Sequence, residues 1–139
     1  MTTIRISVRD VELDALGHVN QSVYHQYAER ARQAAVEAAG GLFDELIASG
    51  IAPVLLESHI NFRRELRARD VVDVSCETKF GTGKTFRMEQ LITKLDGTLA
   101  EEISCTLGMM DLRARKLLAD PRAALETVGV DVRMMSGSE

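Results

Sequence analysis

Residues 20 to 38 constrain the fold more than any other stretch, because they carry one long helical period among runs that otherwise alternate as strands do. Tyr24, Tyr27, Ala28, Ala31, Ala34, Ala35 and Ala38 recur at helical spacing on one face, and Gln26, Arg30, Gln33 and Glu37 take the other. The inward face is mostly alanine, so a flat partner can approach this helix closely. Asn20 is a good N-cap, since its side-chain oxygen can accept from the N–H of Ser22 or Val23. Gly40-Gly41 stops the pattern. One long helix among many strands predicts a sheet wrapped around that helix.

The strands follow from period two. Ile4 to Arg9 alternates apolar and polar, and Pro53 introduces a run in which Val54, Leu56, Ile60 and Phe62 share a face. Val72, Val74, Cys76, Thr78 and Phe80 form a third inner face, and Phe86, Met88 and Ile92 a fourth. Leu99, Ile103, Cys105, Leu107 and Met109 give the last long strand its buried side. Gly81-Thr82-Gly83 reads as a turn, and Asp96-Gly97 is a strong hairpin signal. Short helices are expected over Leu42 to Ser49 and from Pro121 to Val128. The order β, long α, then four antiparallel strands is an α+β domain spanning residues 1–130, with 131–139 expected as a flexible C-terminal tail.

Charge and cysteine usage exclude several functions. A net charge of -4 over 139 residues argues against a broad phosphate-binding surface, so no nucleic-acid partner is expected. No apolar run reaches the ~18 residues of a membrane span, and the polar start is unlike a signal peptide. Two cysteines make no disulfide framework, which fits a reduced, cytoplasmic protein. His18, His25 and His59 lack metal-ligand spacing, and neither a metal nor a cofactor is expected. Gly83-Lys84-Thr85 copies the end of a phosphate-binding P-loop, but Thr78 stands where its first glycine belongs and strands flank it on both sides. A hairpin turn that carries a lysine is the better reading. Cys76 and Cys105 fall on inward strand positions, where a thiol is usually a small hydrophobe.

Chemistry concentrates where the long helix begins, in Asp14-Ala15-Leu16-Gly17-His18-Val19-Asn20-Gln21-Ser22-Val23-Tyr24. The first N–H groups of a helix lack intrahelical partners, and the helix dipole makes that end partly positive. A carbonyl oxygen placed there is polarised, and an oxyanion formed on attack is stabilised. If Asn20 caps the helix, the backbone N–H of Gln21 is the donor best placed for a ligand. The turn through Gly17 can fold the Asp14 carboxylate over the same space, where it can deprotonate water or attack an acyl carbon. This combination suits hydrolysis of an activated acyl group such as a thioester. On the residues alone, Asp14 and Asn20 can equally serve only to organise the turn and the cap.

The same stretch, continued by Tyr27 and Glu29-Arg30-Ala31-Arg32, resembles the signature of the hotdog-fold acyl-CoA thioesterases, and more narrowly the 4-hydroxybenzoyl-CoA thioesterase branch. The likeness in element order runs from residue 4 to about 112. It implies a hotdog fold, one long central helix wrapped by a mostly antiparallel five-stranded sheet. It further implies that Asp14 is the catalytic aspartate, as nucleophile or general base, and that the Gln21 N–H binds the thioester carbonyl. Gly17 matches the glycine that lets the loop pass close to substrate, and His18 and Asn20 shape the pocket beside it, with Tyr24 next to them on the helix. Glu12 stands for the motif's first aspartate, Leu16 for the asparagine of related plant enzymes, and Gln21 for the motif's second asparagine. The family works as homodimers or homotetramers with active sites at subunit interfaces. A partner strand near His59, Asn61 and Phe62 would then line the acyl pocket. Gly83, Lys84 and Thr85 fall where family members hold the phosphates of coenzyme A, with Arg63 and Arg64 behind them. Glu29 lies too far along the helix to assist Asp14 and is expected to pair with Arg32 or with a partner chain.

Three functions follow from this likeness. The favoured one is hydrolysis of an acyl-CoA to a carboxylic acid and free coenzyme A. The second is release of a fatty or polyketide chain from acyl carrier protein, for which Arg63, Arg64, Arg67 and Arg69 suggest a docking surface. The third is a non-catalytic acyl-CoA-binding module.

Overall fold

The structure, a computed structural model, describes residues 1–136. Strand β1 (Thr2–Ser7) leads through a 3-10 turn at Asp10–Glu12 into helix α1 (Gln21–Ala38). Helix α2 (Phe43–Ala48) follows, then β2 (Ile51–Phe62), β3 (Val71–Phe80), β4 (Thr85–Lys94) and β5 (Leu99–Asp111). A two-residue strand β6 (Lys116–Leu117) and helices α3 (Pro121–Thr127) and α4 (Val132–Ser136) complete the described residues. The five long strands form one antiparallel sheet in the order β1-β3-β4-β5-β2, and β6 adds to β5. No helix among the described residues is long and apolar enough to cross a membrane.

Helix α1 buries Val23, Tyr24, Tyr27, Ala28, Ala31, Ala35 and Val36 against the sheet. Its short side chains let the backbone lie close over β1 and β3. Ala34 and Ala38, expected on this face, lie at its margin, half-buried and exposed. Facing α1, the inner sides of β3, β4 and β5 are fully buried at Val72, Val74, Cys76, Met88, Ile92 and Cys105. Because α1 sits mainly over β1 and β3, the inner face of β2 at the far edge is only partly covered. Leu55 and Phe62 remain exposed there.

Strand β2 corrects the expected pattern. Its register with β5 slips between Leu55 and Glu57, so Leu56 is an inserted residue. Leu55 pairs with Leu107, and beyond the bulge Ser58, Ile60 and Phe62 pair with Cys105, Ile103 and Glu101. A one-residue insertion flips the alternation, so Leu55 faces inward before the bulge while Val54, opposite Gly108, faces out. Val54 therefore does not share the face of Ile60 and Phe62, and Leu56 is the extra residue of the bulge. The expected tail is also corrected in part. Residues 132–136 form α4, with Val132 and Met135 buried in the core, and residues 137–139 lie outside the described part.

Candidate active site

The Asp14 loop is a tight reversal. Leu13 and Val19 bridge antiparallel, the Asp14 N–H donates to the His18 carbonyl at 2.7 Å, and the Gly17 N–H donates to the Asp14 carbonyl at 3.1 Å. Gly17 has φ 80°, a left-handed conformation that a side chain disfavours. Asp14 Oδ1 accepts from the N–H groups of Leu16 at 2.8 Å and His18 at 3.2 Å. One carboxylate oxygen thus holds the turn, and Oδ2 has no partner among the described residues. The Val19 N–H docks the loop on the Leu66 carbonyl at 2.8 Å.

Beneath the loop, Glu12 supplies an anchor whose role could not be read from its place in the motif. It is 6% exposed, and its carboxylate accepts from the Tyr27 hydroxyl at 2.6 Å and the Arg9 N–H at 2.8 Å. Its carbonyl accepts from the Asn20 N–H at 2.8 Å, which ties the loop to the helix start. Burial raises the Glu12 carboxyl, but the hydrogen bonds from Tyr27 and Arg9 outweigh it and hold the group below its ordinary value. Burial first, and then the Glu12 carboxylate, raise the Tyr27 phenol. The Tyr24 hydroxyl accepts from the Leu66 N–H at 3.1 Å and secures the other wall.

Asn20 caps α1 as expected, with Oδ1 accepting from Ser22 N–H at 3.0 Å and from the Ser22 hydroxyl at 2.9 Å. The Val23 N–H goes to the Asn20 carbonyl at 2.9 Å. The Gln21 N–H is left without a partner among the described residues. An open groove of about 480 Å³ joins this donor to Asp14, His18, Asn20, Tyr24, Phe62, Arg63, Arg64 and Glu65. His18 is turned aside, with Nε2 2.9 Å from Glu65 Oε2, so it braces the groove wall.

Other expected site residues lie elsewhere in the chain. His59 and Asn61 pair with Ser104 and Glu102 and line a separate hollow of about 380 Å³ on the outer face of the sheet. The Gly83-Lys84-Thr85 turn is far from Asp14 within one chain. Thr85 stands opposite Gly108, which stands opposite Val54, eight positions along β2 from Phe62, or roughly 26 Å at strand spacing. Arg63 is paired with Glu102 and Arg67 with Glu65, whereas the Arg64 guanidinium donates to the Arg63 carbonyl. Glu29 and Arg32 form no ion pair. Arg32 points to Gln90 Oε1 at 3.2 Å and Cys105 Sγ at 3.3 Å, beside an apolar cavity of about 140 Å³.

One residue escaped the sequence reading altogether. Glu101 is fully buried on the inner face of β5, and neither carboxyl oxygen has a partner. Burial alone pushes this carboxyl up to about 8. The signal was present, since position 101 continues the alternation of Leu99, Ile103 and Cys105, but a glutamate there reads as an interruption.

No group of three or more His, Cys, Asp or Glu among the described residues is arranged to hold a metal. A sequence model of the thioesterase-like superfamily matches residues 8–128. The chain belongs to the thioesterase-like superfamily. This thioesterase is 30% identical over 116 residues to the long-chain acyl-CoA thioesterase FadM of Escherichia coli strain K12, covering 83% of this chain and 87% of that one. It is 32% identical over 92 residues to the chloroplastic acyl-acyl carrier protein thioesterase ATL3 of Arabidopsis thaliana, covering 66% of this chain and 48% of the relative. Its fold superposes on the crystal structure of YbaW from Escherichia coli with a TM-score of 0.83 at 27% identity, over 98% of this chain and 99% of the other. The hotdog fold inferred from the motif is therefore the fold of this thioesterase, and its reaction is hydrolysis of a thioester.

Proposed function

We propose that this thioesterase hydrolyses an acyl-CoA, with the Gln21 N–H as oxyanion donor and Asp14 as general base or nucleophile. The observation that carries this reading is the meeting of an unpartnered helix-start N–H and a half-used carboxylate in one open groove. With the substrate carbonyl oxygen against Gln21, negative charge develops where the helix end favours it. Asp14 then either takes a proton from water as the water oxygen adds to the carbonyl carbon, or adds itself and forms an anhydride that water opens. In both routes the carbon–sulfur bond breaks, and the departing sulfur takes a proton, from Asp14 in the first route and from water in the second, so coenzyme A is released as the thiol.

The kinship with FadM favours a long acyl chain on coenzyme A. So does the place of the apolar cavity, since fifteen residues separate Gln21 from Val36 at its wall, about 22 Å of helix. Thiol release from aryl-, short- and long-chain acyl-CoAs tests the reading. Hydrolysis of at least one class is expected, with long chains fastest, and tight binding without turnover would instead mark an acyl-CoA-binding module. The carrier-protein alternative draws on ATL3, of which this chain spans about half, and on the arginines at the groove mouth. Glu102 and Glu65 neutralise Arg63 and Arg67, which favours the smaller thiol. One acyl chain offered on coenzyme A and on carrier protein separates the two by their rates.

The working unit is proposed to be a homodimer or homotetramer. Strand β2 is a twelve-residue edge with Leu55, Leu56 and Phe62 exposed, and edges of this kind invite pairing. Antiparallel pairing of two β2 edges would bring Gly83, Lys84 and Thr85 of a second copy toward this groove, where Lys84 could join Arg64 in holding phosphates. Light scattering is expected to give a dimer or tetramer mass. A monomer with full activity would remove the second copy from the site.

A further inference from the structure

Glu101 stands directly opposite Phe62 on β2 and Ile92 on β4, so its side chain shares their inward face. The Phe62 ring meets the Tyr24 ring edge-on, with centroids 5.5 Å apart, and both rings line the groove that holds Asp14 and Gln21. Glu101 is buried behind them with both oxygens unpartnered. Burial raises the Tyr24 phenol most, the Leu66 hydrogen bond lowers it, and Glu101 comes next, near enough for its charge to raise it. The Tyr24 oxygen accepts from Leu66, but its own hydrogen has no acceptor among the described residues. Two unspent polar groups therefore lie under one wall of the groove, next to Phe62, which is 55% exposed.

Folding alone does not explain this arrangement. A buried polar group without a partner destabilises the fold, and leucine at position 101 would continue the apolar inner face. Protonated by its burial, the carboxyl offers one donor and one acceptor. We propose that Glu101 is a specificity residue whose carboxyl hydrogen-bonds an oxygen substituent, hydroxyl or oxo, on the acyl group. Oxygenated acyl thioesters are then preferred over plain ones of the same length. The inference rests on the acyl-CoA reading above and names the acyl class that the site selects. A site built to bond such an oxygen discriminates strongly against the analogue that lacks it, because its own polar groups are then left unpaired.

Matched pairs test this: decanoyl-CoA against its 3-hydroxy and 3-oxo forms, and benzoyl-CoA against 4-hydroxybenzoyl-CoA. Wild type is expected to favour the oxygenated member of at least one pair by tenfold or more in kcat/KM, on the order of what an unpaired site imposes. Glu101→Leu should erase that preference and leave the plain member within about threefold. Glu101→Gln, which still donates and accepts, should retain part of it. Removal of the orphaned carboxyl should also raise the Tm of Glu101→Leu by roughly 3 °C or more. No preference in wild type for any pair overturns the proposal, as does a preference that survives in Glu101→Leu. A Glu101→Leu protein with lowered Tm and an equal loss on every substrate would assign Glu101 a structural partner instead. If no acyl-CoA is turned over, the proposed function fails by itself. Binding of non-hydrolysable thioether analogues of the same pairs then decides the role of Glu101, and equal affinity within every pair overturns it.

Discussion

Replacing Asp14 by asparagine lowers kcat for thioester hydrolysis by ~10²–10⁴, the range for loss of a positioned acid–base group. The substitution is close to isosteric, and an asparagine Oδ1 still accepts from the Leu16 and His18 N–H groups that hold the turn. What disappears is the negative charge of the carboxylate, including the oxygen that takes no part in the turn. KM and Tm should therefore stay near their wild-type values while turnover falls. Thiol release under saturating substrate reads the effect, with a melting curve as the control for folding. A variant that turns over at the wild-type rate would place the base on another residue and leave Asp14 as a turn former.

The second large effect removes a single backbone hydrogen. Gln21 is the first residue of α1, where proline is tolerated because its N–H has no intrahelical acceptor. Asn20 before it has φ -60° and ψ 137°, the extended conformation that a residue preceding proline adopts readily. Gln21→Pro should therefore fold with the helix intact and lose only the oxyanion donor, at a cost of ~10²–10³ in kcat. Gln21→Ala keeps the N–H, loses the side chain, and serves as the control, with activity expected near wild type. Equal activity in the two variants would show that the carbonyl oxygen is held elsewhere.

Both predictions concern groups that local sequence made visible. Asp14, Gly17, Asn20 and Gln21 lie within eight residues, so turn and cap rules suffice to bring them together. Tyr24 follows one turn later on the helix and lines the same groove. Phe62 and Arg63, at the end of β2 and just past it, line that groove within the same chain, whereas the family resemblance placed Phe62 on a partner strand. His59 and Asn61 follow the alternation of the same strand, which sends them to the opposite face of the sheet from Phe62. Lys84 depended on which end of the sheet the β3–β4 turn occupies, a matter of strand order that no local window contains.

Taken by itself, the sequence determined the capped helix, the five period-two strands, the Asp14 turn and the family to which they belong. Each of these follows from interactions between residues close in the chain, or from a motif only eleven residues long. The tertiary structure alone decided the rest. Pairing with β5 turned Leu56 into a bulge and reversed the faces of β2 before it, because register is a property of two strands at once. The core closed over Val132 and Met135, so residues 132–136 became a helix. Burial beneath Phe62 and Tyr24 gave Glu101 its unpartnered carboxyl. Desolvation is imposed by every element packed around a group, and a residue's own neighbours in sequence do not report it.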